Sequence, residues 1–242
     1  RMTTTMLITG ASSGIGREVA EQAMAKGWRV GLLARSADKL EEVAKAGEAL
    51  VLPGDVTDLE AVEGAVAKIA RTWGRLDVVF NNAGIFTPPG TIDEIAVEDW
   101  HAAVAVNLTG MFHTARAAFG QMRRQDPQGG RIINNGSISA HVPREGALCY
   151  TATKHAITGI TRQLSLDGRP FDIACGQVDI GNAETPMVSA LKVREKAAGR
   201  SVETMDVADA AASILHMASL PLSANVQFMT VMATKMPYIG RG

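Results

Sequence analysis

Two tracts of the chain hold residue types whose spacing matters to chemistry. In "SISAHVPREGALCYTATKH", Tyr150 and Lys154 stand four residues apart at the start of a helix pattern. That spacing stacks both side chains on one helical face. There the ammonium favours a phenolate and brings a group with an ordinary pKa of about 10 toward a useful acid-base range. A Tyr and Lys so placed also arise by chance in solvated helices, so the pair gains weight only in company. That company is "TGASSGIG", Thr9 to Gly16, directly after the apolar run "MLI". A diphosphate needs backbone amides at close range and the positive end of a helix, and side chains beyond hydrogen block the approach. Gly10, Gly14 and Gly16 read GxxxGxG, with Ser12 and Ser13 as added hydroxyl donors and Ile15 opening the next helix pattern. A glycine-rich strand-to-helix turn is also a common packing device. A P-loop is excluded, because it needs Lys and then Ser or Thr after the last glycine, where Arg17-Glu18 stand.

The elements that must position these groups follow from short apolar runs alternating with amphipathic segments. Strands are expected at 6–9, 29–34, 49–54, 76–82, 131–136, 171–178 and 225–231. Helices are expected at Ile15–Lys26, Ala37–Ala46, Leu59–Trp73, Val97–Arg124, Tyr150–Leu166 and Val207–Ala218. Most strand runs are apolar on both faces, which predicts a parallel sheet covered by helices on both sides, doubly wound through right-handed crossovers. "TPPG" (87–90) and "DPQGG" (126–130) read as loops inside one domain spanning 1–242.

The second strand ends "LLARS". In dinucleotide sites an acid about 20 residues after the glycines holds the adenine ribose hydroxyls, whereas an arginine accommodates a 2'-phosphate. Ala34-Arg35 occupies that place, so NADP is favoured over NAD, although an arginine can also merely stack on adenine. In "GDV", Asp55 precedes Val56 and is placed to accept from an adenine amino group; a helix cap before "TDLEAVEGAV" is an equal reading.

With Asn81-Asn82-Ala83-Gly84 after the fourth strand, Asn107 in "NLTG", Ser137 thirteen residues before the tyrosine, and Tyr150-Thr151-Ala152-Thr153-Lys154, the sequence resembles the short-chain dehydrogenase/reductase family over nearly its whole length. The resemblance implies a Rossmann-type α/β fold of about seven strands and a nicotinamide cofactor. It implies Tyr150 as general acid for carbonyl reduction and base for alcohol oxidation. Lys154 would lower the Tyr150 pKa and hold the nicotinamide ribose. Ser137 would orient the substrate oxygen, Asn107 would fix a water linking Lys154 to solvent, and Asn82, Ala83 and Gly84 would line the adenosine side. Two hydroxyl donors converging on a carbonyl oxygen stabilise the charge that hydride addition builds there, and one supplies the proton.

The pattern departs in places. Where the family carries Pro-Gly after the sixth strand, this chain has Ile180-Gly181 in "VDIGNAETPM", with Ile180 and Thr185 expected to meet the carboxamide. The missing proline puts the rigidity of this loop in question. The lid, Glu184 to about Arg200, is short for a steroid-sized ligand, with Met187 and Leu191 packing it down. Loop 139–149 completes substrate recognition, although His141 and Arg144 read first as solvated loop residues. Cys149 reads as packing, and the tail "FMTVMATKMPYIGRG" as a solvated end.

Composition narrows the partners. With 24 basic against 25 acidic residues and a net charge of -1, the chain offers no broad field for nucleic acid or an anionic membrane, so a small-molecule partner is expected. Two cysteines form no metal-ligand cluster or disulfide framework, no metal site is expected, and no apolar run reaches the roughly 18 residues of a membrane span. Strand-like residues from Met6 leave no room for a signal peptide, Arg1 reads as an addition before Met2, and a cytoplasmic setting is expected. The family habit of pairing long helices suggests a homotetramer, else a homodimer, with Ala152, Ala156 and Gly159 permitting close contact. The function expected is an NADP-dependent oxidoreductase of a small carbonyl or secondary alcohol. The alternative is a nucleotide-binding regulatory protein without turnover; epimerase or dehydratase relatives usually carry substrate domains for which the chain is too short.

Overall fold

The computed structural model describes residues 3–197, 199 and 201–239; Arg1, Met2, the lid's end at Arg200 and the tail residues 240–242 lie outside the described residues. The apolar runs form β1 Thr5–Thr9, β2 Arg29–Ala34, β3 Ala49–Pro53, β4 Val78–Asn81, β5 Gly130–Asn135, β6 Ile173–Gly181 and β7 Phe228–Met232. They pair in parallel as one seven-stranded sheet in the order β3-β2-β1-β4-β5-β6-β7. Within β1 the side chains alternate. Met6 and Ile8 enter one core with Val19, Ala20 and Ile214, while Leu7 enters the other with Val62, Ile69 and Val79. Both faces are therefore apolar, which is why β1 reads as an unbroken hydrophobic run. Ile8 is wholly buried, so its truncation to alanine would cost about 2–5 kcal/mol.

The helices are α1 Gly14–Ala25, α2 Ala37–Ala44, α3 Leu59–Trp73, α4 Val97–Ala103, α5 Met111–Arg124, α6 Leu148–Asp167, α7 Pro186–Ala197 and α8 Val207–Ser219. α3 begins where the Asp58 carboxylate accepts from the Glu60 and Ala61 N–H groups, and it ends at Gly74, whose φ of +86° only glycine adopts freely. The helix-cap reading of Asp55 is thereby corrected. Its Oδ1 instead accepts from the Thr57 N–H and hydroxyl, both at 2.9 Å, closing a turn one step before the cap.

Other differences have local causes. The expected helix Val97–Arg124 is continuous but widens to a π-helical stretch, Val104–Gly110, between α4 and α5. The lid segment, where Met187 and Leu191 are expected to pack down, holds α7. β6 runs to Gly181, past the expected Val178, with Ile180 opposite Val231 and Gly181 opposite Met232. The described part of the tail is not simply solvated either: Met236 and Tyr238 are half-buried and turn back beside the lid and loop 142–146.

Candidate active site

β1 lies beside β2 on one side and β4 on the other, so the chain leaves β1 and β4 in opposite directions and opens a crevice at their carboxyl ends. Gly10 and Gly14 adopt φ of +66° and +54°, the left-handed region that favours glycine. Gly16 is needed for a different reason: a Cβ there would lie 2.4 Å from the Gly10 carbonyl oxygen and 2.6 Å from Asn82 Nδ2. No side chain caps the start of α1 and no acid stands in its first turn, so its N–H groups and dipole face the crevice.

The crevice widens into a cavity of about 510 Å³. Gly10, Ser12, Ser13, Gly14 and Ile15 line it with Arg35, Asp55 and Val56, and Asn82, Ala83 and Gly84 line it too, Asn82 and Ala83 against Gly10. Ser137, Tyr150, Lys154 and Ile180 line it too, as does Thr185, whose side chain lies 3.4 Å from where a Cβ on Gly14 would stand. A dinucleotide fits this donor set. Bare backbone lies where a Cβ would intrude, a helix start is open to anions, and Asn135 Oδ1, also in the cavity, is buried without a partner. Among the expected site residues only Gly16 and Asn107 fall outside the lining.

Asn107 lies behind the wall on the π-helical stretch, wholly buried. Its Oδ1 accepts from the Ile85 N–H at 2.7 Å, and its Nδ2 donates to the Ile85 carbonyl at 2.9 Å. One amide thus satisfies both backbone groups of Ile85, whose residue lines the cavity. Lys154 is buried and donates to the Asn135 carbonyl at 2.7 Å, while Asn135 Nδ2 donates to Asn82 Oδ1 at 2.8 Å. Asn82 Nδ2 donates in turn to the Thr9 carbonyl at 2.9 Å. A hydrogen-bond chain therefore runs from the amine to the glycine loop.

Burial, opposed by the negative Asp179, lowers the Lys154 pKa from its ordinary 10.5 to about 8. The Tyr150 ring has Phe86 edge-on at 4.4 Å between centroids and the Lys154 amine 5.4 Å from its centre. Here the expected direction is corrected. Burial pushes the phenol above its ordinary value, Asp179 adds to the rise, and the Ser137 hydrogen bond and Arg144 only partly oppose it. Desolvation of the phenolate outweighs the Arg144 charge that opposes it.

Three contributors were missed or underrated in the sequence. Arg144 donates to Asn182 Oδ1 at 3.1 Å and lines the cavity, rather than standing free in solvent. His141 Nε2 lies 2.7 Å from Asp179 Oδ2. A lone acid in the apolar run "IACGQVDIG" was the available signal for Asp179. A second cavity of about 630 Å³ adjoins the first across Ile138, Ser139, Arg144 and Asn182, between loop 142–146, Leu191 of α7 and the tail at Met236–Tyr238.

Residues 4–196 match the family model described as short chain dehydrogenase. The chain is 33% identical over 189 residues to a 3beta-hydroxysteroid dehydrogenase of Mediterraneibacter gnavus, covering 75% of this chain and 67% of that protein. It is 33% identical over 201 residues to the 2,3-dihydro-2,3-dihydroxybenzoate dehydrogenase of Bacillus subtilis, covering 81% and 76% respectively. Among solved structures, the 3-ketoacyl-(acyl-carrier-protein) reductase from Brucella melitensis complexed with NADH superposes with a TM-score of 0.85 at 25% identity, over 95% of this chain and 96% of that one.

Proposed function

Because the chain belongs to the short-chain dehydrogenase family of oxidoreductases, acting between CH-OH and C=O groups with a nicotinamide cofactor, we propose that it interconverts a small carbonyl and its secondary alcohol and prefers NADPH. The observation that carries this reading is that Ser137, Tyr150 and the buried Lys154, whose amine lies 5.4 Å from the Tyr150 ring centre, line the same cavity as the glycine loop. The nicotinamide, when bound, donates or accepts the hydride.

The protein's own groups do the rest. Gly10, Ser12, Ser13, Gly14 and Ile15 hold the diphosphate, with Gly16 keeping α1 close. Arg35 meets a 2'-phosphate, Asp55 and Val56 meet the adenine, and Asn82, Ala83 and Gly84 pack on the adenosine side. Ile180 and Thr185 meet the carboxamide. Ser137 donates to the substrate oxygen, and Tyr150 gives that oxygen its proton in reduction and takes it in oxidation. Lys154, held on the Asn135 carbonyl, presents its remaining protons toward the ribose and the phenol. Asn107 fixes the Ile85 wall and, in this reading, a water that links Lys154 to solvent.

Arg35 makes no ion pair among the described residues, which supports a free guanidinium at the β2 end. We read residues 1–242 as one catalytic domain that works as a homotetramer. Its support is the exposed apolar side chains Trp100, Phe112 and Leu166 on the paired helices. Fluorescence titration with NADPH and NADH tests the cofactor. Tighter NADPH binding that is lost in Arg35→Ala is expected, and equal affinities would refute the preference. Tyr150→Phe should lose about 10²–10⁴-fold in turnover across a carbonyl and alcohol panel with folding retained, and unchanged rates would refute the mechanism.

A further inference from the structure

Asp179 is the one wholly buried carboxylate among the described residues, and nothing in the chemistry above uses it. It sits on β6, in register with the uncharged Thr230 of β7. Its Oδ1 accepts from the Ser137 N–H at 2.9 Å and from Gln177 Nε2 at 2.7 Å, and its Oδ2 meets His141 Nε2 at 2.7 Å. The backbone after β5 comes so near that a Cβ on Gly136 would lie 2.0 Å from Asp179 Oδ1. A carboxylate in this position costs several kcal/mol in desolvation unless hydrogen bonds and charge offset it. The offsets here are the Ser137 backbone, the Gln177 amide and one edge of an imidazole whose side chain is 40% exposed. The charged and titratable groups around it are His141 on the loop side and Tyr150 and Lys154 on α6, with Arg144 acting on Tyr150 from the loop.

We propose that Asp179 is a positioning residue for the reaction. Its carboxylate, held on its other oxygen by His141, fixes the Ser137 backbone in the cavity that Ser137 shares with Tyr150 and Lys154, and its charge faces that pair. The inference rests on the catalytic assignment of Ser137, Tyr150 and Lys154. Its physical signature has two opposite signs. A negative charge nearby favours the protonated form of both phenol and amine, so removing it makes both give up protons at lower pH. Removing His141 takes away the hydrogen bond that offsets the carboxylate and strengthens the same field.

The test needs no substrate, because the chain has only two tyrosines, Tyr150 and Tyr238. In a Tyr238→Phe background, Tyr150 alone gives the phenolate absorbance near 295 nm, read within milliseconds of a pH jump so that alkaline unfolding does not intervene. Adding Asp179→Asn should lower the midpoint by on the order of one pH unit. Adding His141→Ala, a change at a half-exposed side chain that should not impair folding, should raise it. A midpoint that stays in place, or moves the other way, in whichever variant folds overturns the proposal. With a turned-over substrate, Asp179→Asn should also displace the alkaline limb of kcat to lower pH. A uniform fall in kcat at every pH would mark a purely structural role and overturn it too. Failure of the wild type to turn over any carbonyl or alcohol would count against the catalytic reading alone, since the absorbance titration stands apart from turnover.

Discussion

Replacing Lys154 by methionine should stabilise the cofactor-free protein at pH 7, although it removes a group central to the proposed chemistry. The buried amine titrates at about 8 in the folded chain against 10.5 ordinarily. Each unit is worth about 1.4 kcal/mol, so the buried charge costs the folded state about 3 kcal/mol at pH 7. Methionine fills a similar volume without charge, but it forfeits the hydrogen bond to the Asn135 carbonyl, worth about 1 kcal/mol. The expected net gain is about 2 kcal/mol at pH 7. The pH dependence is the sharper part. Between about 8 and 10.5 the unfolded wild type holds a proton that the folded form has released, so wild-type stability rises with pH through this window. The methionine variant has no such rise, and its advantage should close and then reverse as pH approaches 10. Urea unfolding followed by tryptophan fluorescence from pH 6.5 to 10 measures both chains. A variant less stable than wild type at pH 7, or a difference that does not change with pH, would refute the account of Lys154 as a strained, charged amine.

Two further outcomes follow from local geometry. Gly16→Ala pushes a methyl against the Gly10 carbonyl and the Asn82 amide, so it should destabilise by about 1–3 kcal/mol and weaken nucleotide binding in the same fluorescence titration. Asp58→Ala removes the carboxylate that takes two N–H groups at the start of α3 and should cost about 1 kcal/mol by thermal or urea unfolding without changing nucleotide affinity.

The strands and most helices were legible because burial on both faces forces unbroken apolar runs, and β2 and α3 match their expected bounds. Other parts were less so. α7 was signalled only by Met187 and Leu191, one helical turn apart, in a stretch otherwise mixed in small and charged residues, too short a pattern to set its bounds. The π-helical stretch leaves no trace in composition, since it changes hydrogen-bond partners and not residue types. Tyr150, Lys154, Ser137 and the glycines announce themselves by spacing. Asp179 and His141, 38 residues apart, meet only because β6 follows β5 in the sheet and the loop after β5 turns back over its end.

The chain of bonds from Lys154 through Asn135 and Asn82 to Thr9 has a bearing on tolerance to error. Two sites built on separate loops would drift independently, and the distance between them would carry the sum of both drifts. Here the amine and the glycine loop are both referred to asparagines at the tips of β5 and β4, adjacent strands of one rigid sheet. The sheet edge thus works as a gauge block: it sets the span between the amine and the glycine loop, and a ligand of the wrong length meets a fixed measure rather than a yielding one.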